Sequence, residues 1–89
     1  MLTTSYSTRF KKDLIKGKKQ QRNLKILTLV MENLIHRKPL PKELNDHPLR
    51  GKWKGYRDCH IEPDWVLIYR LSDQNVHFER VGSHADLFG

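Results

Sequence analysis

Apolar side chains recur along this chain with two different periods, and the change of period divides it. From Gln20 to His36, Leu24, Leu27, Met31 and Leu34 repeat at spacings of three and four, with Val30 and Ile35 widening the stripe. That spacing predicts a long helix with one buried face. His36, Arg37 and Lys38 suit its negative carbonyl end, and Pro39 stops it. Upstream, "LTTSY" reads as a short opening strand. Ser7 then predicts the cap of a helix in which Phe10 and Leu14 share a face, with Gly17 as the expected stop.

After Pro39 the helical period disappears. "KPLPKELNDHP" carries three prolines, and Leu40, Leu44 and Leu49 are expected to pin this connection to the core. "KWKGYRDCHI" alternates, with Tyr56, Asp58 and His60 on one side of a strand and Arg57, Cys59 and Ile61 on the other. "EPD" is turn chemistry, because Pro63 fixes its own backbone angle and Asp64 can bond back to the main chain. "WVLIYRL" is apolar on both faces, as a strand covered on both sides would be. "SDQN" makes a second turn, "VHFERV" a last strand ended by Gly82, and "SHADLFG" a tail or single helical turn. The order predicts an α+β fold: two N-terminal helices packed on one face of a mostly antiparallel, four-stranded twisted sheet, the other face open.

Composition narrows the class. Eighty-nine residues allow a single domain over 1–89, and 37% hydrophobic with 30% charged residues is ordinary globular usage. No apolar run approaches the roughly 20 residues needed to cross a bilayer. With "MLTTSYSTRFKK" at the amino terminus, a cytoplasmic protein without a membrane partner is expected. Cys59 stands alone, cannot form an internal disulfide, and reads as a small buried apolar residue. Gly-rich phosphate loops and paired-cysteine metal motifs are missing, which excludes those nucleotide- and zinc-binding classes.

Charge then supplies a partner. Residues 1–25 hold eight Lys or Arg against the lone Asp13, a net +7, whereas the nine basic and nine acidic residues that follow cancel. Lys11, Lys12, Lys16, Lys18, Lys19 and Arg22 therefore form a candidate surface for a polyanion, with a solvated helix face as the alternative.

The candidate chemistry is histidine-rich. His47, His60 and His84 occur in "NDHPLRG", "RDCHIEPDW" and "GSHADLF", each near an Asp, Glu or Ser able to orient an imidazole. His60 and Asp64 flank the first hairpin turn, while Arg80 and His84 end the last strand, so the meander can gather them. Imidazoles accept and donate protons at neutral pH, and a guanidinium braces extra negative charge on phosphorus. RNA carries its own nucleophile, the 2′-hydroxyl, so this set suits RNA cleavage without a metal or cofactor. Trp65, Tyr56 and Phe88 are candidate stacking platforms for bases. Each residue also has a plainer reading: Asp64 as a turn former, Trp65 as core, Arg80 paired with Glu79 or Asp58. A zinc site from His47, His60, Asp64 and His84 lacks the close ligand pairs usual in such sites. His36 and His77 read as surface residues.

"NDHPLRGKWKGYRDCHIEPDWVLIYRL" followed by "FERVGSHADLFG" resembles the YafQ toxins, a branch of the RelE/ParE superfamily of bacterial toxin–antitoxin systems. The likeness spans the chain and is strongest from Asp46 to Gly89. It implies a RelE-like fold and a ribosome-dependent mRNA endonuclease (mRNA interferase) that cleaves the message in the ribosomal A site and is neutralised by a DinJ-like antitoxin. Operator DNA would be met only through the antitoxin complex. The resemblance carries the catalytic set over to His47, His60, Asp64 and His84, with Arg80 as transition-state brace, Trp65 and Phe88 as supports, and Asp58 as a further candidate. The expected division of labour has His84 protonating the departing 5′-oxygen while His60 or His47, oriented by Asp64, deprotonates the 2′-hydroxyl. The basic helix would anchor ribosomal RNA, and an acidic antitoxin could cover part of it. A ParE-like gyrase inhibitor and a non-catalytic basic nucleic-acid-binding protein are the alternatives.

Overall fold

A computed structural model describes residues 1–89. Strand β1 (Thr3–Tyr6) leads into α1 (Thr8–Lys19) and α2 (Leu24–Ile35), followed by β2 (His47–Pro48), β3 (Arg57–Glu62), β4 (Trp65–Leu71), β5 (Asn75–Gly82) and α3 (His84–Phe88). Two short 3-10 turns, Lys42–Leu44 and Gly51–Trp53, flank β2. The sheet has five strands in the order β1-β5-β4-β3-β2, not the four expected, and it is mixed. β1 runs parallel to β5, and β2 adds an antiparallel edge through the pairs His47 with Asp58 and Pro48 with Arg57. The α+β class and the meander stand.

The helices form where capping and periodicity place them, with two corrections. Ser7 caps α1 by accepting the Phe10 N–H, but α1 runs through Gly17 to Lys19. Gly17 is needed inside the helix because Trp65 presses against it: a Cβ there would lie 2.7 Å from the indole Cζ2. The second helix begins at Leu24, after an Asn23 cap, instead of at Gln20. One face of the sheet and the helices share a core of Phe10, Leu27, Val30, Leu34, Cys59, Trp65, Leu67, Tyr69 and Phe78. Each such side chain, fully buried, contributes roughly 1.5–3 kcal/mol.

The opposite face is not wholly open. Val66, Ile68 and Leu87 form a second small core, with Leu49, Trp53 and Tyr56 packed against it. Residues 49–56 and α3 thus cover the middle of that face. What remains uncovered is its edge, where β2, the end of β3 and the start of α3 meet.

Candidate active site

Strand register lays out the site. His47, Asp58, Ile68 and Arg80 are successive cross-strand partners, so they form one row across β2, β3, β4 and β5, in which Asp58, Ile68 and Arg80 are buried and His47 at the edge is partly exposed. His60, Val66 and Gly82 form the next row. α3 begins after Gly82 and the Ser83 cap, and its first residue, His84, brings its ring against His60 of that row. The rings of His60 and His84 lie 5.4 Å apart, edge to face, and those of His47 and His60 6.3 Å apart. Phe88, one turn along α3, stands 6.1 Å from His84 and is half exposed. Three imidazoles therefore form a continuous group at the uncovered edge.

Each imidazole has its own fixing. Ser83 caps α3, with its hydroxyl accepting the Asp86 N–H while the Asp86 carboxylate accepts the Ser83 N–H. This leaves the His84 N–H as an orphan of the first helical turn. Asp64 Oδ1 accepts it at 2.9 Å, and accepts the ring Nδ1–H of the same residue at 2.7 Å. Those two donors hold the exposed Asp64 carboxyl below the usual carboxylate range, the backbone one most strongly. The hairpin that presents Asp64 is tied to the helices by Glu62, which accepts from the Asn23 N–H at 2.7 Å and Arg22 Nη1 at 3.3 Å.

His47 donates its Nδ1–H to the Asn45 carbonyl at 2.7 Å. Asn45 reaches this position from the left-handed region, with φ 52°. Asp58 Oδ1 also lies 3.1 Å from the same Nδ1, outside hydrogen-bond alignment because that N–H is turned to the carbonyl. Asp58 is 3% exposed, and this oxygen has no hydrogen-bond partner. Burial pushes the Asp58 carboxyl up, against the pull of His47, His60 and His84. The expectation that Asp64 orients the base is thus corrected: its partner is His84, and His47 is oriented by a backbone carbonyl.

The other candidates are distributed differently. Arg80 lies in the same row as His47 but three strands away, roughly 14 Å at about 4.8 Å per strand. Its Nε and Nη2 donate to Asp13 at 2.7 and 3.2 Å, and the same carboxylate accepts the Val81 N–H beyond the end of β1. Neither Glu79 nor Asp58 is its partner. Trp65 is 1% exposed, packed on Gly17 in the main core, so it supports the hairpin from below and offers no face to a base. Tyr56 packs edge-on against Trp53, with Arg70 over its ring at 5.0 Å, so both its ring neighbours are protein side chains. Lys16 pairs with Asp86 at 3.2 Å and Arg22 with Glu62 at 3.3 Å, which leaves Lys11, Lys12, Lys18 and Lys19, together with Arg9 and Lys25, as the exposed cations of the basic stretch outside any ion pair. No three His, Cys, Asp or Glu side chains stand in a metal-ligand arrangement. Cys59 is buried and its thiol is pushed up to about 12 by desolvation, as an inert core residue requires. Asn45, Asp13 and Glu62 escaped the sequence reading; only the turn-forming "ND" before "HP" signalled one of them.

No helix is long and apolar enough to cross a membrane. Residues 2–89 match the family model described as bacterial toxin of type II toxin-antitoxin system, YafQ. The mRNA interferase toxin YafQ of Escherichia coli (strain K12) is 49% identical over 85 residues, covering 94% of this chain and 92% of its own length. The crystal structure of YafQ from E. coli strain BL21(DE3) superposes with a TM-score of 0.95 at 46% identity, covering 100% of both chains. A chain of the crystal structure of the E. coli DinJ-YafQ toxin-antitoxin complex gives 0.92 at 47% identity, covering 99% of this chain and 98% of that one. On sequence and on architecture alike, this chain belongs to the YafQ family of toxins of type II toxin–antitoxin systems.

Proposed function

We propose that this protein is an mRNA interferase that cleaves messages in the A site of the ribosome by metal-independent acid–base catalysis. The observation that carries this reading is the His47–His60–His84 group, in which two of the three rings are held by partners that fix their protons. Its kinship with an E. coli protein named an mRNA interferase toxin points the same way.

The partners divide the labour. A carbonyl cannot donate, so the Asn45 oxygen requires the proton on His47 Nδ1 and leaves Nε2 of the neutral ring with its lone pair free. His47 is the general base for the 2′-hydroxyl. His84 has a carboxylate on Nδ1, which holds that nitrogen inward and turns Nε2 outward, so the imidazolium's Nε2–H is the proton source for the 5′-oxygen. As the 2′-oxygen bonds to phosphorus and the bond to the 5′-oxygen breaks, one proton enters at His47 and one leaves at His84. A 2′,3′-cyclic phosphate and a 5′-hydroxyl result. His60, between the other two, faces the phosphate. Asp58 lies beneath the rings and balances the charge that His47 acquires. Arg80, its Nε and Nη2 taken by Asp13 and three strands along the row from His47, adds a fixed positive charge to the field of the site and not a direct contact to the phosphate. Phe88 is the exposed aromatic beside His84 and the best placed for a base.

Lys11, Lys12, Lys18 and Lys19 would anchor ribosomal RNA. A DinJ-like antitoxin is the expected partner, since the E. coli relative forms a complex with DinJ. The test is cleavage of a programmed ribosome, with naked mRNA as control. His47→Ala and His84→Ala should each lose on the order of 100- to 10,000-fold in rate. Full cleavage by either variant would overturn its assignment.

A further inference from the structure

We propose that Asp46, Tyr69 and Arg57 form a clamp that positions His47 from the far side of the sheet; this rests on the reading of His47 as the proton acceptor. β2 holds His47 through only two paired positions, at the edge of the sheet. A ladder that short fixes a strand weakly. Its next residue back, however, is anchored. Asp46 Oδ1 accepts the Tyr69 hydroxyl at 2.5 Å and Arg57 Nε at 3.3 Å, while Oδ2 accepts Arg57 Nη2 at 3.3 Å. Tyr69 is fully buried in the helix-side core and belongs to β4, between β3 and β5, so it is a rigid post.

Alternation converts this anchor into control of the site. Adjacent residues of a strand point to opposite faces. Asp46 turns to the helix side with Tyr69 and Arg57, and His47 turns to the other side with its cross-strand partner Asp58. The carbonyl that holds His47 Nδ1 belongs to the peptide unit joining Asn45 to Asp46. Fixing the Asp46 side chain therefore fixes the plane of that peptide, and with it the acceptor that selects the His47 tautomer. Releasing the clamp lets the carbonyl swing away, and the Nε2 lone pair is then available only part of the time. None of the three residues reaches the substrate side, so their effect is on positioning alone.

Tyr69→Phe removes one hydroxyl and keeps the ring that fills the core. Tyr69 also lines a cavity of about 370 Å³ together with Asp46, Arg37 and Lys38. The tautomer of His47 is read on the full chain by long-range proton–nitrogen NMR, and cleavage by single-turnover assay on programmed ribosomes. Wild type should show His47 as a single Nδ1–H tautomer. Tyr69→Phe should show a mixture, an unchanged His84 signal, and a cleavage rate lower by about tenfold with unchanged ribosome affinity. Arg57→Lys should move both readouts in the same direction, and it supplies the test if Tyr69→Phe fails to fold. A single tautomer at full rate in a folded variant would overturn the clamp. Full cleavage by His47→Ala would instead overturn the role given to His47, while the tautomer readout would still decide the clamp.

Discussion

Asp64 holds His84 at two points, taking its backbone N–H at 2.9 Å and its ring N–H at 2.7 Å on the same oxygen. A turn carboxylate thereby locks the start of α3 to the β3–β4 hairpin and fixes which ring nitrogen of His84 faces out. Asp64→Ala removes both contacts and should slow single-turnover cleavage on the order of 100-fold. The folded carboxyl titrates below the ordinary carboxylate range, so its contribution to stability is present above that range and lost as pH falls through the lowered value. Carbon-detected NMR of the Asp64 carboxyl across acid pH checks this, and an ordinary midpoint would contradict it.

Asp58 has the opposite sign. Its folded pKa is raised by burial, so the folded chain holds that proton more tightly than the unfolded one. Stability is then fullest below the ordinary carboxylate range and declines as pH rises through the raised value. Asp58→Asn removes the buried charge and should leave the chain more stable than wild type at neutral pH. In acid it should converge with wild type. Its cleavage rate should fall at the same time, because His47 loses its counter-charge. Thermal melts at several pH values, paired with cleavage assays, separate the two effects.

Much of this architecture is legible in the sequence, for local reasons. Leu27, Val30 and Leu34 announce a helix face through their spacing, and "WVLIYRL" announces a strand buried on both sides. His60, Asp64 and His84 could be brought together on paper because two hairpin ends must meet. β2 is illegible because two residues, one of them Pro48, carry no period. Gly17 as a helix stop fails because the demand for a small residue comes from Trp65, far along the chain. The Asp13–Arg80 pair spans 67 positions and leaves no local trace.

The Asp13–Arg80 pair also ties α1 to β5. Asp13 and Arg80 side chains are 13% and 11% exposed, and Asp13 also satisfies the Val81 N–H at the edge of β5. Asp13→Ala strands a nearly buried guanidinium and should cost about 3 kcal/mol. Chemical denaturation measures it, and a loss below about 0.5 kcal/mol, the scale of surface substitutions, would contradict the account.

Charge reversal at Lys11, Lys12, Lys18 and Lys19 together should weaken ribosome binding, and the salt dependence of the remaining affinity should become shallower. The melting temperature should hardly change, since these side chains are exposed. Reversal at Lys16 should in addition loosen α3 through the lost Asp86 contact. Filter binding across a salt series reads the first effect, and unchanged affinity would leave α1 as a merely solvated face.

In the proposed mechanism an RNA 2′-oxygen attacks phosphorus beside His47 while His84 protonates the departing 5′-oxygen. The most direct measurement is cleavage of a programmed ribosome whose message carries a single 2′-deoxynucleotide at the scissile position. Cleavage should vanish at that position, and the unmodified message should end in a 2′,3′-cyclic phosphate. A deoxy message cut at the normal rate, or unmodified products ending in a 3′-hydroxyl, would contradict the mechanism.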